Sequence, residues 1–168
     1  MAYRQLELHG KLAVVIGGTS GIGKALARGL AEAGADVVAS SRRMELVTET
    51  ADEIESLGRN TLRVASDVTD RASLDNLLRV VLERFAKVDI LVNCAGFNQR
   101  APTLGFPESD WERLLDTNLT GTLRACQVFG HHMVGRRYGR IINIASMGSF
   151  LALFEVAAIV PVKPPWLR

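Results

Sequence analysis

Gly17, Gly21 and Gly23 sit in the stretch Ile16-Gly17-Gly18-Thr19-Ser20-Gly21-Ile22-Gly23. Glycines at this spacing let a backbone turn sharply and approach a pyrophosphate with no side chain in the way. A helix starting directly afterwards aims free N–H groups and a partial positive charge at the phosphates. Thr19, Ser20 and Ile22 fall inside the same turn. The bland alternative is a tight strand-to-helix turn that binds nothing. Further on, Ser40-Ser41-Arg42-Arg43 offers two guanidinium groups and no carboxylate. Such a pair suits a phosphate monoester. Its alternative is two solvated charges opening the next helix. Asp36 lies before that strand rather than after it, where an acid would bind ribose hydroxyls.

These groups need elements to hold them. Hydrophobic periodicity predicts strands at 11–16, 35–40, 61–66, 88–93 and 140–145. It predicts helices at 21–33, 44–57, 73–85 and 108–134, the last with an irregularity near Asn118 and Gly121. Strand and helix in alternation mean parallel strands joined by right-handed crossovers. The expected fold class is therefore α/β, a doubly wound parallel sheet of Rossmann type, incomplete at its C-terminal side. One nucleotide-binding domain is expected over 1–158. The tail 159–168 differs in character, because Pro161, Pro164 and Pro165 forbid a regular helix there.

Composition narrows the function. A chain of 168 residues with 48% hydrophobic and 23% charged content reads as one globular domain. The net charge of +2 gives no reason to expect nucleic acid as a partner. The densest basic stretch, Arg136-Arg137-Tyr138-Gly139-Arg140, reads as a solvated loop before a strand. Cys94 and Cys126 are too few for a disulfide framework, which fits a reducing, cytoplasmic setting. No apolar run has the length of a membrane span, and the first residues do not read as a signal peptide. His131 and His132 are adjacent, without the spacing of a metal site.

Four further stretches occur in order. They are Asp67-Val68 after the third predicted strand, Asn93-Cys94-Ala95-Gly96 after the fourth, Asp116-Thr117-Asn118-Leu119 in the fourth helix, and Ser146 after Ile141-Ile142-Asn143-Ile144-Ala145. With the glycine loop they resemble the short-chain dehydrogenase/reductase family over about residues 8–158. The resemblance implies a nicotinamide dinucleotide as cofactor and a small-molecule alcohol or carbonyl as substrate. By it, Asp67 and Val68 contact the adenine, and Asn93, Ala95 and Gly96 brace the sheet beside the cofactor. Asn118 and Ser146 match the active-site Asn and the catalytic Ser. Arg42 and Arg43 favour NADP(H) over NAD(H). The family usually has Thr where Ile16 stands, so one hydrogen bond of the loop is lost. The stretch Asn98-Gln99-Arg100-Ala101-Pro102 is similar to sugar-acid dehydrogenases of gluconate type.

In the family, a Tyr follows the catalytic Ser by thirteen residues and a Lys follows that Tyr by four. Here those positions are Ile159 and Lys163. Ile159 has no proton to exchange with a substrate oxygen. Lys163 stands between Val162 and Pro164, where the helix that should aim it cannot form. A single added base, with permitted codons, turns 159–167 into Tyr-Cys-Ala-Ser-Lys-Ala-Ala-Val-Ala, which resembles the family's catalytic helix. A frameshift is the expected origin of the tail, and genuine divergence the alternative. The expectation is a chain that keeps a cofactor site but not the chemistry, with exposed apolar surface and self-association. The competing reading is a non-catalytic nucleotide-binding or interaction protein that pairs with a full-length relative.

Overall fold

Strand β1 (Leu12–Ile16) is apolar and buried at every position. A strand needs this when helices cover both faces of its sheet. The computed structural model, which describes residues 7–146 and 148, shows the covering. Alternate residues of β1 feed two cores. Leu12, Val14 and Ile16 pack with Leu74, Leu77 and Val81 of α3 (Arg71–Phe85) and with Ala125, Val128 and Phe129 of α5 (Gly121–Gly135). Ala13 and Val15 pack on the opposite face with Ala27 and Ala31 of α1 (Gly21–Glu32) and Ile54 of α2 (Met44–Ser56). Small side chains dominate this second face and let α1 lie close to the sheet.

Among the described residues, the sheet has four strands in the order β2-β1-β3-β4, where β2 is Asp36–Ser40, β3 Ile90–Asn93 and β4 Arg140–Asn143. Every pairing is parallel. Register runs from Leu12↔Asp36 to Ile16↔Ser40 on one side of β1, and from Ala13↔Ile90 to Ile16↔Asn93 on the other. The chain first steps outward from β1 to β2, then returns to lay β3 on the opposite side. That reversal leaves a crevice beyond the C-terminal ends of β1 and β3, where ligands of such sheets bind. The doubly wound, Rossmann-like expectation therefore holds. Among the described residues, no helix is long and apolar enough to cross a membrane.

Two expectations need correction. Among the described residues the sheet has four strands, not five, because residues 61–66 do not form one. That segment runs beside β2 and is held main chain to main chain near its ends, from the Val37 N–H to the Asn60 carbonyl (3.1 Å) and from the Ser66 N–H to the Ser41 carbonyl (3.0 Å). Between these points the Ser40 hydroxyl donates to the Val64 carbonyl (2.6 Å), so a side chain does what a ladder would do. Leu62 and Val64 still turn toward the core, and their alternation is what reads as a strand. The third helix also starts at Arg71 rather than 73. Asp70 caps it by accepting the Ala72 N–H (2.9 Å), while the Ser73 hydroxyl accepts the Asp67 N–H (3.0 Å).

The irregularity expected near Asn118 is a π-helical turn over Asp116–Thr120, between α4 (Glu108–Leu115) and α5. Such turns are frequent at functional sites. Ile159, Lys163 and the whole 159–168 tail lie outside the described residues, so the expected domain boundary does too.

Candidate functional site

The glycine loop is built by close approach. Gly17 has φ +78°, and a Cβ there would lie 2.5 Å from the Ala95 N. Only glycine lets the turn after β1 touch the turn after β3. A Cβ on Gly23 would collide with the Gly17 carbonyl, so α1 can start close behind the loop only because Gly23 has none. The N–H groups of Gly17 and Gly18 both donate to the Ser40 carbonyl, at 2.8 and 3.2 Å, which ties the loop to the end of β2. Ser20 is the N-cap of α1, but its side chain caps nothing, and no acid stands in the first turn. The first-turn N–H groups and the positive end of the helix are thus left for an outside anion.

The loop after β2 adds hydroxyls and charge. Thr19, 4% exposed, donates its hydroxyl to Ser41 Oγ at 2.7 Å. The Ser40 and Ser66 hydroxyls lie 2.8 Å apart beneath them. Arg42 and Arg43 are exposed, and neither has an ion pair among the described residues. On the other side, Asp67 Oδ1 accepts both the N–H (2.9 Å) and the hydroxyl (2.8 Å) of Thr69, which fixes the turn that carries Val68. Val68 packs against Gly121 at the start of α5, where a Cβ would come within 2.8 Å of it.

These parts enclose one cleft of about 510 Å³. Of the residues expected at the cofactor, Gly17, Thr19, Ser20, Arg42, Arg43, Asp67, Val68, Ala95 and Gly96 line it. Gly21, Ile22 and Gly23 begin α1 beside it without lining it. Ile22 is 65% exposed. Asn93 is buried below the cleft and uses its amide on Asn143 Oδ1 (2.8 Å) and Cys126 Sγ (3.3 Å). Through these contacts it joins β3 to β4 and α5.

Sequence reasoning missed Ser41, Ser66, Cys94, Phe97 and Thr117 as lining residues. Position could have flagged Ser41 and Cys94, since residues just past the C-terminal ends of parallel strands border the crevice. Thr117 stands inside the Asp116-Thr117-Asn118-Leu119 stretch, whereas Phe97 carries no such signal.

Of the expected catalytic residues, neither Asn118 nor Ser146 lines the cleft, and Lys163 lies outside the described residues. Asn118 is 2% exposed, and its amide makes a two-way pairing with the Phe97 main chain. Its Oδ1 accepts the Phe97 N–H (3.0 Å) and its Nδ2 donates to the Phe97 carbonyl (2.8 Å). Its side chain therefore fastens the loop after β3 to the π turn. Ser146 lies beyond the end of β4, outside the cleft lining, and its Oγ accepts the Gly148 N–H (3.2 Å). Among the described residues, no three His, Cys, Asp or Glu side chains cluster as metal ligands.

An uncapped helix N-terminus with no acid beside it, a glycine-rich loop and two guanidinium groups without ion pairs among the described residues together fit a dinucleotide that carries phosphates. Comparison with known proteins agrees. A family model described as short chain dehydrogenase matches residues 11–158. The 2-dehydro-3-deoxy-D-gluconate 5-dehydrogenase of Pseudoalteromonas atlantica is 39% identical over 147 residues, covering 87% of this chain and 58% of its own. A gluconate 5-dehydrogenase from Burkholderia cenocepacia J2315, solved in complex with NADP and tartrate, superposes with TM-score 0.89 at 37% identity, covering 94% of this chain and 62% of that one. An NAD+-bound xylitol dehydrogenase superposes equally well, TM-score 0.89 at 29% identity, covering 92% and 60%. The chain thus spans about 60% of the length of such relatives. It belongs to the short-chain dehydrogenase family.

Proposed function

We propose that the cleft at the ends of β1, β2 and β3 binds a nicotinamide dinucleotide, NADP(H) in preference to NAD(H). The observation that carries this is the cleft's charge. Arg42 and Arg43 line it without ion-pair partners among the described residues, and no Asp or Glu stands in the link 41–43 between β2 and α2. The cofactor would supply hydride chemistry. Gly17, Thr19, Ser20 and the start of α1 would hold the pyrophosphate. Asp67, Val68 and Thr117 would flank the adenine.

The reaction class of the family is oxidoreduction of a hydroxyl or carbonyl, and the gluconate-type relatives favour a sugar-acid substrate. The chain itself is proposed to be a cofactor-binding form with little or no catalysis. By its count from Ser146, Ile159 stands at the position of the proton-transferring Tyr. The second reading is a non-catalytic partner of a full-length relative. It is favoured by apolar side chains exposed on α5, Leu123 (52%) and Val134 (77%), and on β4, Ile141 (37%) and Ile142 (45%).

Calorimetric titration of the purified chain with NADPH and NADH tests the main reading. Saturable binding, tighter for NADPH, with no hydride transfer to ketogluconates, is expected. Absence of binding to both dinucleotides overturns it. Sequencing the encoding DNA tests the origin of the tail, and a reading frame with no near-match to Tyr and Lys removes the frameshift.

A further inference from the structure

Past Arg42 the cofactor cleft opens into a second cavity of about 610 Å³. The two share Arg42, Phe97 and Thr117. The far wall comes from α4 and the π turn, and brings Glu112, Arg113 and Asp116 to the cavity.

The charges of that wall are not equivalent. Arg113 is held three ways. It lies 3.2 Å from the Asp110 carboxylate, donates to Gln99 Oε1 at 3.0 Å, and stacks 5.2 Å from the centre of the Phe97 ring. Asp116 is held by Arg124 at 2.7 Å. Glu112 is exposed and has no ion pair among the described residues, and the same is true of Arg42. One unmatched carboxylate and one unmatched guanidinium therefore border the same cavity.

We infer that Glu112 is a second destination for Arg42, in competition with the 2′-phosphate of the dinucleotide, and so a selectivity residue of the cofactor site. The inference rests on the reading of the cleft given above. A guanidinium can pair bidentately with either a carboxylate or a phosphate. When the ribose carries a free 2′-hydroxyl, Arg42 turns to Glu112 and leaves the ribose end of the cleft open. When a 2′-phosphate arrives, its greater charge takes the guanidinium back, but only against the attraction of Glu112. Glu112 thus narrows the gap between the two dinucleotides and gives the site tolerance for both.

The test is calorimetric binding of NADPH and NADH to the whole chain, to Glu112→Gln, to Arg42→Gln and to the double variant. Both residues are exposed, and thermal melts confirm that each variant folds. Glu112→Gln is expected to tighten NADPH about two- to fivefold, the size of an exposed ion pair, and to leave NADH unchanged. In the Arg42→Gln background the same substitution is expected to do nothing. Equal tightening of both dinucleotides, or an unchanged gain without Arg42, overturns the inference, because either outcome is a general charge effect. If Arg42→Gln weakens NADPH while Glu112→Gln changes nothing, the Glu112 role fails and the cofactor reading stands. If neither dinucleotide binds the unsubstituted chain, both fail together.

Discussion

The two ends of the sheet use charge in opposite ways. At the C-terminal ends of the strands, Arg42 and Arg43 border the cleft with no ion pair among the described residues. At the N-terminal ends, Asp89 is 2% exposed and fully engaged. It accepts the Leu12 N–H (2.9 Å) and stands 3.4 Å from Lys87 and 3.3 Å from Arg136. Burial by itself would raise the Asp89 carboxyl, but the Leu12 N–H, Lys87 and Arg136 outweigh it and hold the carboxyl below its usual range. Beside it His132 accepts the Val88 N–H (3.3 Å), and burial, then Arg136, push its pKa down. One end spends its charges on holding β1, β3 and α5 together. The other leaves them unspent, which is how a binding site differs from a structural network of the same residue types.

Substitutions should separate the ends. Asp89→Ala orphans the Leu12 N–H and strands two cations, a loss of about 3–5 kcal/mol. A melting temperature lower by about 10 °C is expected, with the remaining folded protein still binding NADPH. A melt within a degree or two of the parent would erase the distinction drawn here.

Gly17→Ala strikes the cleft end through its backbone, since φ is +78° and Ala95 N stands 2.5 Å from the new Cβ. A cost of about 1–3 kcal/mol is expected, together with weakened binding of both dinucleotides, read by calorimetry. Replacing Arg42 and Arg43 together by Ser should weaken NADPH by about tenfold or more and leave both NADH binding and the melt unchanged. A fall in melting temperature would mean that these arginines are structural after all.

Smaller still is the pH response. The pKa values of His132 and Asp89 are both depressed in the folded chain. The unfolded chain therefore binds more protons below the unfolded values, about 6.5 and 3.9, and stability falls as pH drops through each window. Two acid steps in melting temperature are expected, with the upper one lost in His132→Gln. Smallest of all, Arg28→Gln breaks an exposed pair with Glu32 and should not move the melt.

Much of this was legible in the sequence, unevenly and for physical reasons. β1, α1, β2 and α2 follow from apolar runs and helical periodicity, because burial on two faces leaves no other pattern. The glycine loop and the Arg pair were legible because neighbours in sequence make them. Residues 61–66 misled, since Leu62 and Val64 alternate like a strand while the Ser40 hydroxyl takes the Val64 carbonyl. The Asp89 network was invisible, because its members come from separate points in the chain and only the fold joins them. Asn118 was legible as a position but not as a clasp on Phe97, a contact across 21 residues. The second cavity, between Arg42 and α4, has no trace in the sequence at all.

The π turn over Asp116–Thr120 has a geometric meaning apart from chemistry. One extra residue in a helix rotates everything before it by about 100° relative to everything after. The turn thus acts as a phase shifter between α4 and α5. With it, α5 keeps Ala125, Val128 and Phe129 in the core while α4 presents Arg113 and Asp110 to Gln99. Shortening the segment by one residue would restore an unbroken helix and lose no side chain of either face. It would still dial α4 out of alignment, so that the wall of the cleft is specified by a count of residues as much as by their kinds.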